Sequence, residues 1–495
     1  MSTAKKFAGQ TAIYGLSTIV SRLLSFILTP IYTKAYDPGI YGIFTTMFSW
    51  VSMLNPLLAF GMETTFFRYL NKKEDQKQAV YDNAFATVLT LSVLFLFIGI
   101  PLISNIATGI SIGNTSTHAD YILYVKCFVA VLVLDALAVI PFAKIRADGR
   151  PGRYGLVKFI NVVIFVSFNL LFIYGFPFIV KHNYSGMALI TPWFRHGWVG
   201  YVFISNLISS SVTLLMLLPE LLKLKFRFNW PMLKEMLLYS WPILISNISY
   251  SLNENVDKLL LGKLLPIKES ANAVGIYSGC AKISLFLNLF INAFRLGAEP
   301  FFFSHSKNKN AGQTYARIMD YFVIAVCVIF VALIANIEIL KHFVNNHNYW
   351  VGLGVVPPLV FGYVSLGIYM NLSVWYRLSD QTKYGLYISG IGAVLTLILN
   401  VIFIPLYSYM ASAWISLAAY ATMMVLSYIW GQKNYPIPYN LKKNLAYIIS
   451  SVIIVYFSFS VFKRNIFAGN AMLLLYAAGT FYFEWKDLKI IFSRK

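Results

Sequence analysis

Apolar residues recur along this chain in runs of about twenty, and each run is closed by a short polar segment in which lysine, arginine, glycine and proline collect. An α-helix rises about 1.5 Å per residue, so about 20 residues cross about 30 Å of hydrocarbon. The pattern therefore predicts transmembrane helices, over approximately 10–34, 41–66, 79–104, 119–143, 154–180, 197–219, 237–261, 272–300, 317–340, 351–375, 384–406, 409–430, 444–462 and 466–485. Lys5 and Lys6 lead into a first span that runs past Pro30 with no small-residue cleavage pattern, and the first helix is expected to stay in the membrane. Near 220–236 the residues Lys223, Lys225, Arg227, Asn229, Trp230 and Pro231 interrupt the apolar pattern, which places the link between two halves there.

Composition removes the soluble alternative. Hydrophobic residues make up 58% of the chain and charged residues 12%, with a mean hydropathy of +0.66, whereas soluble domains run about 45–50% apolar and about 25% charged. A net charge of +21 would direct a soluble protein towards nucleic acid. Here the cations lie between apolar spans, and no nucleic-acid partner is expected. With the N-terminus in the cytoplasm, most of the 40 lysines and arginines fall on the cytoplasmic side, among them Arg68 to Lys77, Lys144 to Lys158 and Lys223 to Lys234. This is the positive-inside signature, and both termini are expected in the cytoplasm. Cys127, Cys280 and Cys327 all lie inside apolar runs and read as small core residues rather than a disulfide framework.

The two halves resemble each other. Gly61-Met62-Glu63-Thr64-Thr65-Phe66-Phe67 and Gly297-Ala298-Glu299-Pro300-Phe301-Phe302-Phe303 share Gly-x-Glu-x-x-Phe-Phe at the same ends of spans 2 and 8. Tyr154-Gly155-Leu156 matches Tyr384-Gly385-Leu386, Asn169 matches Asn400, and Gly42 matches Gly275, all at offsets of about 230–236 residues. Four matches at nearly one offset indicate a duplicated six-span unit. Six crossings return the chain to its starting side, so the repeats are parallel. The expected architecture is an all-α polytopic membrane protein of about fourteen helices. It has an N-terminal lobe (1–222), an amphipathic linker (223–236), a C-terminal lobe (237–432), and two further helices with a tail (433–495).

A charge in hydrocarbon costs several kcal/mol unless it faces water or a partner, which makes intramembrane charges functional candidates. Arg22 lies near the middle of span 1, Lys126 about two turns into span 4, Lys282 near the middle of span 8, and Arg295 towards the end of span 8. Such cations fit a phosphate-bearing substrate, because guanidinium groups bind phosphate oxygens bidentately. The alternatives are a local Arg295–Glu299 pair at i,i+4 and outward snorkelling of Lys126 and Lys282. Asp135 is the acid nearest a mid-span, suited to proton or sodium coupling or to service as a counter-ion for Lys126 or Arg22. No Gly-x-x-x-x-Gly-Lys-Ser/Thr loop is present, the six histidines lie outside the mid-span stretches, and no metal or cofactor is expected.

A resemblance sharpens this picture. Ala12-Ile13-Tyr14-Gly15-Leu16, Leu28-Thr29-Pro30-Ile31-Tyr32-Thr33-Lys34 and Tyr41-Gly42 resemble the first two helices of Wzx-type polysaccharide repeat-unit flippases. Tyr239-Ser240-Trp241-Pro242 with Asp257-Lys258 is similar to their seventh helix, and Phe294-Arg295-Leu296-Gly297-Ala298-Glu299-Pro300-Phe301 to their eighth. The likeness covers essentially the whole chain and extends to the multidrug/oligosaccharidyl-lipid/polysaccharide exporter superfamily. It implies a V-shaped pair of lobes working by alternating access, with a lipid-linked (undecaprenyl-diphosphate) oligosaccharide moved across the bacterial cytoplasmic membrane for O-antigen, capsule or exopolysaccharide. Membrane lipids and other polysaccharide assembly proteins are the implied partners, and Arg22 and Arg295 are the implied diphosphate contacts. The competing readings are a cation-coupled multidrug exporter of the same superfamily and a membrane polysaccharide polymerase or ligase. Cationic rather than acidic mid-span charge speaks against the first, and internal duplication speaks against the second.

Overall fold

A computed structural model of the protein describes residues 26–184, 187–225, 227–305, 310–379 and 381–492; at 296, 297, 299, 300, 303–305 and 486–492 only the course of the backbone is described. Every described element is helical, and no strand occurs among the described residues. Ten helical stretches among them are long and apolar enough to cross a membrane. Chain contacts divide the protein into two compact units, Met1–Gly275 and Ile276–Lys495.

The first unit contains α1 (26–35), α2 (Pro38–Ala59), α3 (Met62–Lys72), α4 (Lys77–Gly99), α5 (Ile103–Ile110), α6 (His118–Ala147), α7 (Pro151–Leu170), α8 (Phe176–Lys181), α9 (Met187–Ile190), α10 (Gly200–Met216), α11 (Leu218–Leu221) and α12 (Trp230–Leu264), and it ends within α13 (Ile267–His305). Helix ends are written into the sequence. Thr117 and Asp120 form a reciprocal capping box at the start of α6, with Thr117 Oγ1 accepting from the Asp120 N–H at 3.2 Å. Pro151 and Pro231 stand in the first turns of α7 and α12, where a missing N–H costs nothing. The second predicted span is not one helix. Pro56 weakens the end of α2, and Phe60 and Gly61 take φ values of 48° and 65°, so the chain breaks and restarts as α3.

Buried polar groups pin the first unit together. Glu220 is fully buried, and its carboxylate accepts from Arg150 Nη1 at 3.0 Å and Arg153 Nη2 at 3.1 Å. Within the break expected near 220–236, the described residues between α11 and α12 are tied down by side chains of α4. Asp82 accepts the backbone N–H groups of Lys225 (3.2 Å) and Arg227 (2.9 Å), and Asn83 accepts that of Asn229 (3.2 Å). Asn229 in turn caps α12 by accepting from the Met232 N–H at 3.1 Å, so that residues from Trp230 onward are helix. Gly42 on α2 and Gly275 on α13 mark a close helix crossing. A Cβ on Gly42 would lie 1.9 Å from the Ala271 carbonyl oxygen, and one on Gly275 would lie 1.8 Å from that of Pro38.

The second unit holds the rest of α13, α14 (Ala311–Ala335), α15 (Ile337–Leu340), α16 (Val356–Leu372), α17 (Val374–Leu378), α18 (Lys383–Asn434), α19 (Leu441–Tyr456) and α20 (Ile466–Phe492). Ser408 departs from helical geometry inside α18 (φ 52°, ψ −140°), between the expected spans 384–406 and 409–430. The C-terminal helices α19 and α20 pack on α14. Asn336 and Asn470 exchange hydrogen bonds at 3.1 and 3.0 Å, Asn444 donates to Asp320 at 2.9 Å, and Lys443 meets the buried Glu484 at 2.6 Å. Cys127, Cys280 and Cys327 are all buried free thiols.

The duplication reaches individual side chains. Asn169 on α7 and Asn400 on α18 are both fully buried. Each donates its Nδ2 to the carbonyl four residues earlier, Phe165 and Thr396, at 2.7 Å. Each accepts a hydroxyl at 2.9 Å on its Oδ1, from Tyr32 in the first unit and from Ser412 in the second.

Candidate functional site

A polar cavity in the first unit has a volume of about 280 Å³ and lies among α2, α3, α6, α7 and α10. Asp135 and Arg146 are on the same helix, eleven residues apart, so the cavity extends about 16 Å along α6 from its basic end into the apolar span. Four charged side chains line it, two of each sign: Glu63, Asp135, Arg146 and Lys158. Arg146 bridges to Glu63, and its guanidinium also stands 5.7 Å from the Tyr154 ring centroid. Asp135 accepts from Ser210 Oγ at 2.8 Å and interacts electrostatically with Lys158, whose ammonium lies 4.3 Å from the Phe142 ring centroid. Asn161 donates to Thr213 at 2.8 Å, while the carboxamides of Asn55 and Asn206 make no hydrogen bond among the described residues.

The second unit contains a smaller pocket of different chemistry. Arg295 on α13 and Asn371 on α16 share it with Phe294, Phe322, Met370 and Val374. Among the described residues, Arg295 Nε and Asn371 Nδ2 are both buried donors without an acceptor, and Asn371 as a whole is 8% exposed. Arg377 on α17 is close enough to Arg295 for the two positive charges to repel. No acidic side chain lines the pocket among the described residues, and the side chain of Glu299, one turn beyond Arg295, lies outside them. A buried donor left without an acceptor costs about 1–3 kcal/mol.

The structure distributes the residues singled out from sequence unevenly. Arg22 lies outside the described residues. Asp135 lines the first cavity, facing Lys158 rather than Lys126, and Arg295 lines the second pocket. Lys126 is exposed and lines neither, and Lys282 is half-buried, has an interaction of its own and lines neither. Sequence reasoning missed Lys158, Asn206, Asn371 and Arg377. Lys158 had a signal, since it lies inside the predicted span 154–180 although its charge was counted with the preceding loop. Asn371 had none, because an asparagine in an apolar run looks the same whether or not its amide is satisfied.

The fold and these sites define an all-helical membrane protein with polar pockets among its spans, and comparison with known proteins places it in a family. The sequence profile described as polysaccharide biosynthesis protein matches residues 7–304, and the MatE profile matches residues 242–402. The chain belongs to the polysaccharide biosynthesis protein family. No match was found among curated protein sequences. Among solved structures, the lipid II flippase MurJ in its inward closed conformation is similar at a TM-score of 0.72 and 14% identity, covering 95% of this chain and 99% of that one. An inward-facing multidrug resistance MATE family transporter is similar at 0.63 and 14% identity, covering 86% and 94%, and a Vibrio cholerae MATE transporter at 0.58 and 13% identity, covering 87% and 96%. By their names, these structural neighbours are a flippase and transporters.

Proposed function

We propose that the protein is a flippase that moves a lipid-linked oligosaccharide, joined to its lipid through a diphosphate, from the cytoplasmic to the outer leaflet of the bacterial cytoplasmic membrane. In this reading it serves O-antigen, capsule or exopolysaccharide assembly, works beside other assembly proteins, and keeps both termini in the cytoplasm. The observation that carries it, together with family membership, is the C-half pocket: two buried donors, on Arg295 and Asn371, without acceptors among the described residues. The donors of Arg295 and Asn371 call for an acceptor-rich group, and a diphosphate supplies up to four acceptor oxygens in a low-dielectric setting that strengthens each contact. Arg295 and Arg22 are assigned to the diphosphate. Lys126, being exposed, has no such support, and Lys282 does not line the pocket.

Asp135 is the group proposed for ion coupling, because it is a carboxylate within a span, open to a polar cavity and facing a single ammonium. Asp135→Asn preserves shape but removes the titrating group. Unchanged dependence of export on proton and sodium gradients would remove Asp135 from this role.

The MatE profile over residues 242–402 favours a second reading, a cation-coupled multidrug exporter. The deciding experiment is a lipid extract of a strain lacking this protein. Diphosphate-linked repeat units are expected to accumulate on the cytoplasmic leaflet, and the wild-type gene is expected to clear them. Sensitivity to cationic dyes without any such accumulation would sink the flippase reading and support the drug exporter.

A further inference from the structure

We infer that the cavity of the first unit is a saccharide subsite, one that receives a neutral, hydroxyl-rich ring of the transported glycan rather than its diphosphate. The inference deepens the flippase reading and rests on it.

Charge is the first argument. Two acids and two bases line the cavity, so its formal charge is zero, and each sign already faces its opposite: Glu63 bridges Arg146, and Asp135 lies near Lys158. An anion entering here gains little from two cations already engaged and meets two carboxylates at close range, which at an effective dielectric of about 20 repel it by kcal/mol amounts. A neutral ligand meets no such opposition.

Hydrogen-bonding capacity is the second. Asn55 and Asn206 each present a carboxamide with two donor hydrogens and an acceptor oxygen, and neither is used by the protein among the described residues. A sugar hydroxyl is likewise donor and acceptor at once. Neighbouring hydroxyls on a ring therefore pair with a carboxamide in a way that neither an ion nor an apolar drug reproduces. Size is the third argument. About 280 Å³ far exceeds the space of one water and approaches the lower end of ordinary ligand pockets.

Because Asn55 and Asn206 have no protein partner, removing their amides leaves no buried group orphaned, and effects on the glycan separate from effects on folding. The double variant Asn55→Ala/Asn206→Ala in the full chain is expected to lower glycan export about tenfold or more at normal membrane abundance. Binding of inorganic pyrophosphate to the purified variant is expected to match wild type. A photo-crosslinking amino acid at position 206, irradiated in the cell's own membranes, is expected to yield a protein adduct carrying carbohydrate mass. Wild-type export by the double variant, loss of pyrophosphate binding along with export, or an adduct free of carbohydrate would each overturn the subsite. The lipid extract of the deletion strain separates the two failures. Accumulated repeat units with no sugar adduct reject this subsite alone, and absence of accumulated repeat units rejects the flippase reading with it.

Discussion

The two repeats keep a common skeleton and put different chemistry into it. Asn169 and Asn400 do the same work, each tying its own helix backbone to a hydroxyl on another segment. Yet one repeat surrounds a roomy, charge-balanced cavity, while the other surrounds a small pocket with guanidinium and amide donors and no acid among the described residues. Duplication thus fixes where helices cross, and the side chains added to that frame are free to diverge. A flippase substrate is itself two-sided, anionic at the diphosphate and neutral along the glycan, and the asymmetry between repeats matches that division.

The comparison breaks most directly at Arg295. Arg295→Ala is expected to lose most export of lipid-linked glycan at normal membrane level, and Arg295→Lys to retain part of it, because the charge stays while the planar fork is lost. Equal activity of Arg295→Ala and wild type in a leaflet-specific glycan assay would remove the anionic half of the contrast. The shared skeleton is tested next at its tightest crossing. Gly42→Leu and Gly275→Leu each drive a side chain into opposing backbone and are expected to destabilise by about 3 kcal/mol or more, read as a fall in melting temperature of the detergent-purified protein.

A smaller and more telling effect is expected at the asparagines. Asn169→Leu and Asn400→Leu each leave a buried hydroxyl without its acceptor, for a loss of about 1–3 kcal/mol. Similar shifts in melting temperature would sharpen the claim of a common frame, and a loss confined to one repeat would break it. The smallest expected effect is at Lys126→Ala, within about 0.5 kcal/mol and without change in export, because that side chain is exposed and touches neither cavity.

Much of the frame was legible in the sequence because hydrocarbon thickness imposes a length on every span. The expected separation of 384–406 from 409–430 coincides with the non-helical Ser408, and the repeat asparagines were visible as a matched pair. The break at Phe60 and Gly61 was not legible, since two residues of positive φ leave an apolar run looking continuous. Lys158 was misread for a related reason. A cation within two turns of a span's end blends with the loop charges that set topology, and only the neighbouring helix reveals that it faces Asp135. Asn371 and Arg377 depend wholly on which faces of α16 and α17 turn towards α13, information that hydrophobic period does not carry.

The clamp on Glu220 has a meaning for the order in which the chain is built. Arg150 and Arg153 precede that carboxylate by 70 and 67 residues, so during synthesis the basic pair is in place well before its acid emerges. Glu220 then arrives at a receptor already present, and it never has to wait in an apolar setting for a counter-charge. A chain cut between the two would leave Arg153 without its acid and Arg150 with Asp148 alone.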